Sequence, residues 1–455
     1  MGRVISEQNP KTRPVGRVTF SEAMRSWFAG DFDGCLALCD RVRPNDVDMV
    51  SQLALLRARA LLRLGRPDEA IQVVRNVFVA HDTLDASLTA QMLLGAAHVR
   101  RGDHRRGLFL LEAARAASAQ AHPTIRSEIA LDIALAHYAL RDLDGVARAL
   151  DEVAPTADIV HARALQTRGW LAVARGDYVG ATDAFRAALL RLDGCRQTDR
   201  LLEAHTVQAL AILAAERLDH AAWLFVEQRA RRLDWTASGL AAPYYGIAIS
   251  ASMVEEVHGR IDEALRWAGE AEEVARNEGA RLFATCRRAT VLRTAGEAYG
   301  HRDLVARVRR AVQALDLAAF EGDERGLAIA LAIEVAASGD VLGARALLKR
   351  YDDLPPPSPL LSLTGDRRPV GFRAFADAVV ADAAGDVAQA HQCYREAFQI
   401  FHGIGYARRA LLAALRLGEL TGQTYLLEYV DRTLRRLADR SPLRARARLH
   451  HALPD

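Results

Sequence analysis

The side chains best suited to chemistry in this chain are arginines and aromatics set at fixed distances before turn-forming residues. Arg59 lies six residues before Gly65 with Arg63 beside it, and Arg100 falls two before Gly102. Tyr138 is three before Arg141, Trp170 and Gln166 are six and ten before Gly176 with Arg163 one turn further back, and Met253 is six before Gly259. Positions three, six and ten residues before a turn share one helix face. Arginine and aromatic side chains on such a face combine apolar area with directed polarity, the combination that dominates binding interfaces. Arg59, Arg63 and Arg100 can each grip a carboxylate in a two-pronged fashion. The chemistry implied is recognition of a peptide, a helix or a small effector.

Signatures of covalent and metal chemistry are missing. The sequence holds no G-x-x-x-x-G-K-S/T phosphate loop, no H-E-x-x-H, no C-x-x-C and no G-x-S-x-G. Cys35 and Cys39 stand four apart and supply half of a zinc site with no second pair, so they read as packed core thiols. Gly403 and Gly405 are too few for a dinucleotide fingerprint, and His450-His451 falls in a basic end. The expectation is a protein without catalytic residues, cofactor or metal.

The elements that must position the arginines are short paired helices. Arg168–Leu190 reads RGWLAVARGDYVGATDAFRAALL, in which Tyr178, Ala181, Phe185 and Ala188 form one helical face after the Gly176-Asp177 turn. Eleven such turns can be followed, at Gly30, Gly65, Gly102, Arg141, Gly176, Glu216, Gly259, Arg302, Gly339, Gly385 and Gly422, spaced 35 to 46 residues apart. A period of that length holds two helices and two short loops, and a unit so small must lean on its neighbours.

The run Gly169, Gly176, Tyr178, Ala181, Phe185 and Ala188 resembles the tetratricopeptide repeat, with further matches at Gly95, Gly102, Leu111 and Ala114 and at Gly385, Val387, Ala390, Tyr394 and Ala397. The looser spacings are similar to the superhelical region of the maltose-activator (MalT-like) bacterial regulators. The resemblance covers roughly residues 20 to 440 and implies an all-α, right-handed α-solenoid of about eleven hairpins. It implies a non-catalytic interaction scaffold holding a partner in its concave groove, or alternatively an effector-sensing transcriptional regulator.

Organisation follows from composition. The reading places a flexible basic tail at 1–18, the solenoid at 19–353, a Pro-rich insertion at 354–370, C-terminal hairpins at 371–440 and a basic tail at 441–455. At 50% hydrophobic and 26% charged residues, wholesale disorder is excluded. Net charge is +3, concentrated at the two ends, which admits a nucleic-acid contact without favouring one. Five scattered cysteines, no apolar leader and no membrane-length apolar run point to reduced thiols and a cytoplasmic protein.

Overall fold

Alanine-rich sequence with small residues at regular crossings folds as helices from end to end. The computed structural model describes residues 19–42, 47–78, 83–155, 158–195, 199–233, 235, 240–317, 326–354, 367–437 and 440–450. Among these, 23 helices and no strands are present.

The first five hairpins are α1 (Phe20–Ala29) with α2 (Phe32–Arg41), α3 (Val47–Arg63) with α4 (Pro67–Phe78), α5 (Leu84–Arg100) with α6 (His104–Ala117), α7 (Pro123–Ala139) with α8 (Leu143–Asp151), and α9 (Asp158–Ala174) with α10 (Tyr178–Asp193). The middle is formed by α11 (Arg200–Arg217) with α12 (His220–Ala230), α13 (Ala241–Val257) with α14 (Ile261–Val274), and α15 (Glu278–Thr294) with α16 (Ala298–Gln313). The last three pairs are α17 (Leu327–Ala337) with α18 (Val341–Asp352), α19 (Arg368–Ala383) with α20 (Val387–Gly403), and α21 (Ala407–Thr421) with α22 (Thr424–Leu437), followed by α23 (Pro442–Leu449).

Each turn inside a pair carries one residue in the left-handed region. Glycine does this at 30, 65, 102, 176, 259, 296, 339, 385 and 422, and Arg141 and Leu218 do it with φ of 62° and 55°. The next residue then caps the second helix: Asp31, Asp142, Asp177, Asp219, Asp340 and Asp386 each accept a bond from the backbone N–H three residues on.

Two turns differ from the sequence expectation. The sixth lies at Leu218, not Glu216, because Asp219 fixes the cap; the eighth lies at Gly296, whereas Arg302 sits inside α16. The expected tail at 441–455 is helical over Pro442–Leu449, where Leu443 and Ala447 are buried against the core. The expected tail at 1–18, the prolines 355–357 and 359, and 451–455 lie outside the described residues.

The crossings are close where the repeat signature demands. A Cβ on Gly169 would sit 2.5 Å from the Phe185 ring, and one on Gly107 would sit 2.7 Å from the Gly95 carbonyl oxygen. Tyr178, Ala181, Phe185 and Ala188 are all buried.

Stacking does not stop at nearest neighbours. Gly30, in the first hairpin, approaches Leu201 of α11; Glu216 of α11 pairs with Arg408 and Arg409 of α21. Tyr178 meets Tyr406 with ring centroids 5.0 Å apart, and the Gly259 turn lies against Arg440. Hairpin one therefore touches hairpin six, and six touches eleven, so the superhelix returns onto itself about every five hairpins. One apolar core runs through α1–α3, α9–α13 and α19–α23. Independent stacking of adjacent repeats, as in an open solenoid, gives way here to contact between successive turns.

Two outcomes follow. Gly169→Ala drives a methyl into the fully buried Phe185 and lowers stability by about 1–3 kcal/mol in urea unfolding, whereas Gly403→Ala, which meets nothing within 4 Å, leaves it unchanged or raised. Glu216→Ala strands two guanidiniums between superhelical turns and costs about 3–5 kcal/mol; a loss under 1 kcal/mol would show that the turns do not depend on this contact.

Candidate functional site

Tight winding converts the concave groove into two separate chambers. The N-terminal one, of about 640 Å³, is bounded by α1, α3, α5, α7 and α9 and by Asp199 at the start of α11. The C-terminal one, of about 730 Å³, is bounded by α13, α15, α17, α19, α21 and α23. Both lie in the size range of small-molecule and peptide-side-chain pockets.

The N-terminal chamber collects four of the arginines singled out by spacing: Arg59, Arg63, Arg100 and Arg163. Its walls are apolar, with Met24 and Trp27 from α1, Leu56 and Leu62 from α3, and Met92 and Val99 from α5. Arg59 donates to Glu128 at 2.8 Å. Arg63 lies over the Trp27 ring at 5.6 Å and reaches Asp199 at 3.9 Å. Asp199 is itself committed to the Leu202 N–H as the cap of α11. Among the described residues, the side chains of Arg100, Arg163 and Asp132 make no hydrogen bond and no ion pair within 4 Å.

The electrostatics are those of a cationic pocket. Burial, reinforced by Arg163, brings the Arg63 guanidinium down to about 10 against the pull of Asp199. Burial also pushes the Asp132 carboxyl up, which Arg163, Arg100 and Arg59 oppose. Four guanidiniums face the three carboxylates Glu128, Asp132 and Asp199, so one positive charge is in excess.

Other residues singled out by spacing lie elsewhere. Tyr138 packs half-buried against the core of the first hairpins, and Gln166 donates to the Thr206 hydroxyl at 2.9 Å, stitching α9 to α11. Trp170 meets Phe185 edge-on with centroids 5.2 Å apart. Met253 lines the C-terminal chamber. Spacing missed Trp27 and Met24, although they stand three and six residues before Gly30 as the same rule requires. It also missed Asp132, which shares a face with Leu135 three residues on.

The C-terminal chamber is more polar. Glu334 accepts from Thr290 at 2.8 Å, from Arg293 at 2.8 and 3.0 Å, and lies 2.9 Å from His301 Nε2. Burial alone would raise this carboxyl, but those partners hold it at about 2. Glu256 takes Thr294 and Arg287, and Arg287 also bonds the Ser252 hydroxyl at 3.0 Å. Asp382 pairs with Arg416, and Glu419 with Arg416 and Arg446.

Among the described residues no group of three or more His, Cys, Asp or Glu side chains is placed to hold a metal ion. Cys35 and Cys39 are both buried on α2. The basic C-terminal stretch is largely neutralised within the fold: Arg435 and Arg444 pair with Asp431, Arg432 with Glu428 and Arg446 with Glu419.

The Glu334 cluster fixes a pH dependence. Its folded value lies below the ordinary carboxylate value of about 4.3, so its stabilisation is complete above pH ~4.5 and is lost as pH falls toward 2. The expected loss is about 3 kcal/mol, read as a fall in the unfolding midpoint between pH 5 and 2. Glu334→Gln flattens that fall; an unchanged slope in the variant overturns the assignment.

Comparison with known proteins places the fold. No protein-family model matches the chain, and no curated protein matches it in sequence. Solved structures do match. A Rap protein complexed with competence and sporulation factor shares 11% identity, covering 81% of this chain and 100% of that one, at a TM-score of 0.51. Apo RapI shares 10% identity over 84% of this chain and 96% of that one, at 0.41. A monomeric IFIT1 mutant with Gppp-AAAA shares 10% identity over 96% of both chains, at 0.46. No helix among the described residues is long and apolar enough to cross a membrane. Paired helices, left-handed turn residues, close glycine crossings and the likeness to the Rap protein at a TM-score of 0.51 together make the chain, by fold, a tetratricopeptide-like helical-repeat protein.

Proposed function

We propose that the protein is a binding scaffold whose N-terminal chamber holds an acidic segment of a partner protein or peptide. The observation that carries this reading is the pair of guanidiniums, Arg100 and Arg163, that face an apolar-walled cavity without an ion pair within 4 Å among the described residues. Arg163 is half-buried and Arg100 reaches solvent, and an incoming carboxylate would give each the charge-assisted partner that it lacks. Met24, Trp27, Leu62 and Met92 meanwhile accept apolar side chains beside it. The apolar wall decides against a purely electrostatic contact, since a chamber meant only for charge would gain nothing from Trp27 and two methionines.

Support from the fold is general. The Rap protein, which is similar in fold, is complexed with competence and sporulation factor, so a helical-repeat chain of this kind is able to form such a complex. The alternative, an effector-sensing regulator, uses the same chamber for a small anionic molecule. Its enclosed volume of about 640 Å³ is the feature that favours it.

An array of short peptides varying in acidic and apolar content, probed with the purified protein, tests the reading. Acidic peptides carrying one or two large apolar residues are expected to bind. Arg63→Glu and Arg100→Glu each weaken that binding at least tenfold, the scale of a lost charge-assisted pair. Trp170→Ala, which alters packing on Phe185 outside the chamber, leaves it within about threefold. Equal binding by all three variants removes the N-terminal chamber from consideration.

A further inference from the structure

Charge in the C-terminal chamber does not balance. Six guanidiniums line it, and their carboxylate partners number five, because Arg408 and Arg409 share Glu216. That sharing is poor in geometry. Arg408 Nη2 lies 3.2 Å and Arg409 Nε 3.3 Å from the same oxygen, Oε1 of Glu216. Each is longer than an ordinary charge-assisted bond of about 2.7–2.9 Å. The remaining donors of Arg409, both terminal nitrogens of its fork, have no hydrogen-bond partner among the described residues.

Arg409 is also held for a purpose other than pairing. Its guanidinium lies over the Phe372 ring at 4.8 Å, which fixes the plane of the fork. Its side chain retains 19% exposure, all the more telling beside the 3% of Arg408, so cavity solvent reaches Arg409 while its neighbour is sealed. Burial with Arg408 close by brings the Arg409 guanidinium down to about 10, against the pull of Glu216. An anion arriving at the fork would supply the missing charge. Elsewhere in its lining the chamber offers apolar surface from Phe283, Ile333, Phe375 and Leu412.

We propose that the C-terminal chamber is a second, independent binding site for a small organic anion, whose oxyanion head is gripped by the Arg409 fork and whose apolar body lies on the facing wall. A planar fork presents two parallel N–H groups that match a carboxylate or a phosphate alike. The shared chemistry is therefore a single oxyanion head on a short apolar tail. Bulk polyanions fit less well, because the other five arginines in this chamber already have carboxylate partners and only one charge is uncompensated.

Hexanoate, hexyl phosphate and hexanol test the site by calorimetric titration of the full chain. Both anions are expected to bind, with hexanol at least tenfold weaker; the tighter anion identifies the head group. Arg409→Gln weakens the anions at least tenfold and leaves hexanol unchanged, while Arg432→Gln, on the exposed face of α22 outside both chambers, leaves all three unchanged. Arg409→Lys keeps the charge beside Glu216 and loses the fork, so it is expected to fold and to bind the anions several-fold more weakly. It carries the test if the glutamine variant does not fold. Equal binding of hexanol, anion binding retained in both Arg409 variants, or anion binding lost in Arg432→Gln instead, overturns the proposal. Loss confined to Arg432→Gln would leave the N-terminal chamber reading standing, and loss confined to the Arg409 variants is independent of it.

Discussion

Burial of α11 on most of its sides is the constraint from which the rest of the architecture follows. Thirteen of its eighteen residues are buried, polar ones included, because hairpins five and seven flank it along the chain while α1 and α21 press on it from the preceding and following superhelical turns. A helix packed by neighbours around most of its circumference keeps little solvent face, here His205, Gln208 and Ile212, each half-buried. Its two ends then become the only places where charge can enter. Asp199 at the N-terminus suits the helix dipole and caps it. Glu216 at the C-terminus opposes the dipole, and it is tolerable there only because Arg408 and Arg409 reach across from α21.

Winding the groove this tightly changes what the concave face is. An open solenoid presents one long surface, and contact there is set by whichever side chains happen to line it. Here α11 runs from the first chamber, at Asp199, to Arg408 and Arg409 of the second, and the same inward positions end up as the walls of two rooms with different character. The first is apolar with guanidiniums lacking close partners, and the second is a network in which nearly every charge has an answer. The difference lies in pairing rather than in the number of acidic residues, since three carboxylates line each chamber: Glu256, Glu334 and Asp382 each meet an arginine at close range, whereas Asp132 meets none within 4 Å among the described residues.

Much of this was legible in the sequence, and what was not has identifiable causes. Positions three, six and ten before a turn do face inward, as Arg59, Leu62, Met92, Ala96, Val99 and Leu135 show. The same rule, counted from Gly296, selects Arg293, Thr290 and Cys286, all of which line the C-terminal chamber. Counting from Arg302 hid them, because an Arg-Asp-Leu string mimics the Arg-Asp-Leu turn at Arg141 while lying within a continuous helix. At Glu216 the pattern matched two residues early, since leucine is an unusual choice for a left-handed turn. Trp170 lies at an inward position by spacing yet packs on Phe185, because Gly169 beside it opens the crossing that the ring fills. Contact between distant hairpins left no local trace: nothing in the neighbourhood of Glu216 announces a partner nearly two hundred residues away.

Arginine rather than lysine at almost every cationic position is what makes the two rooms possible. A buried ammonium readily loses its proton, so a helix stack that places cations between turns would neutralise lysines and forfeit their pairs. Guanidinium stays charged even where burial lowers it, as at Arg63 and Arg409, and its planar face packs on rings such as Trp27 and Phe372. It can therefore serve as wall and as binding group together. Where three donors are answered, as at Arg287, whose Nε and Nη2 bond Ser252 and Glu256, the side chain is structural and rigid. Where some remain open, as at Arg409, the same rigidity presents a preformed grip, and the entropy of ordering the side chain has already been met in folding.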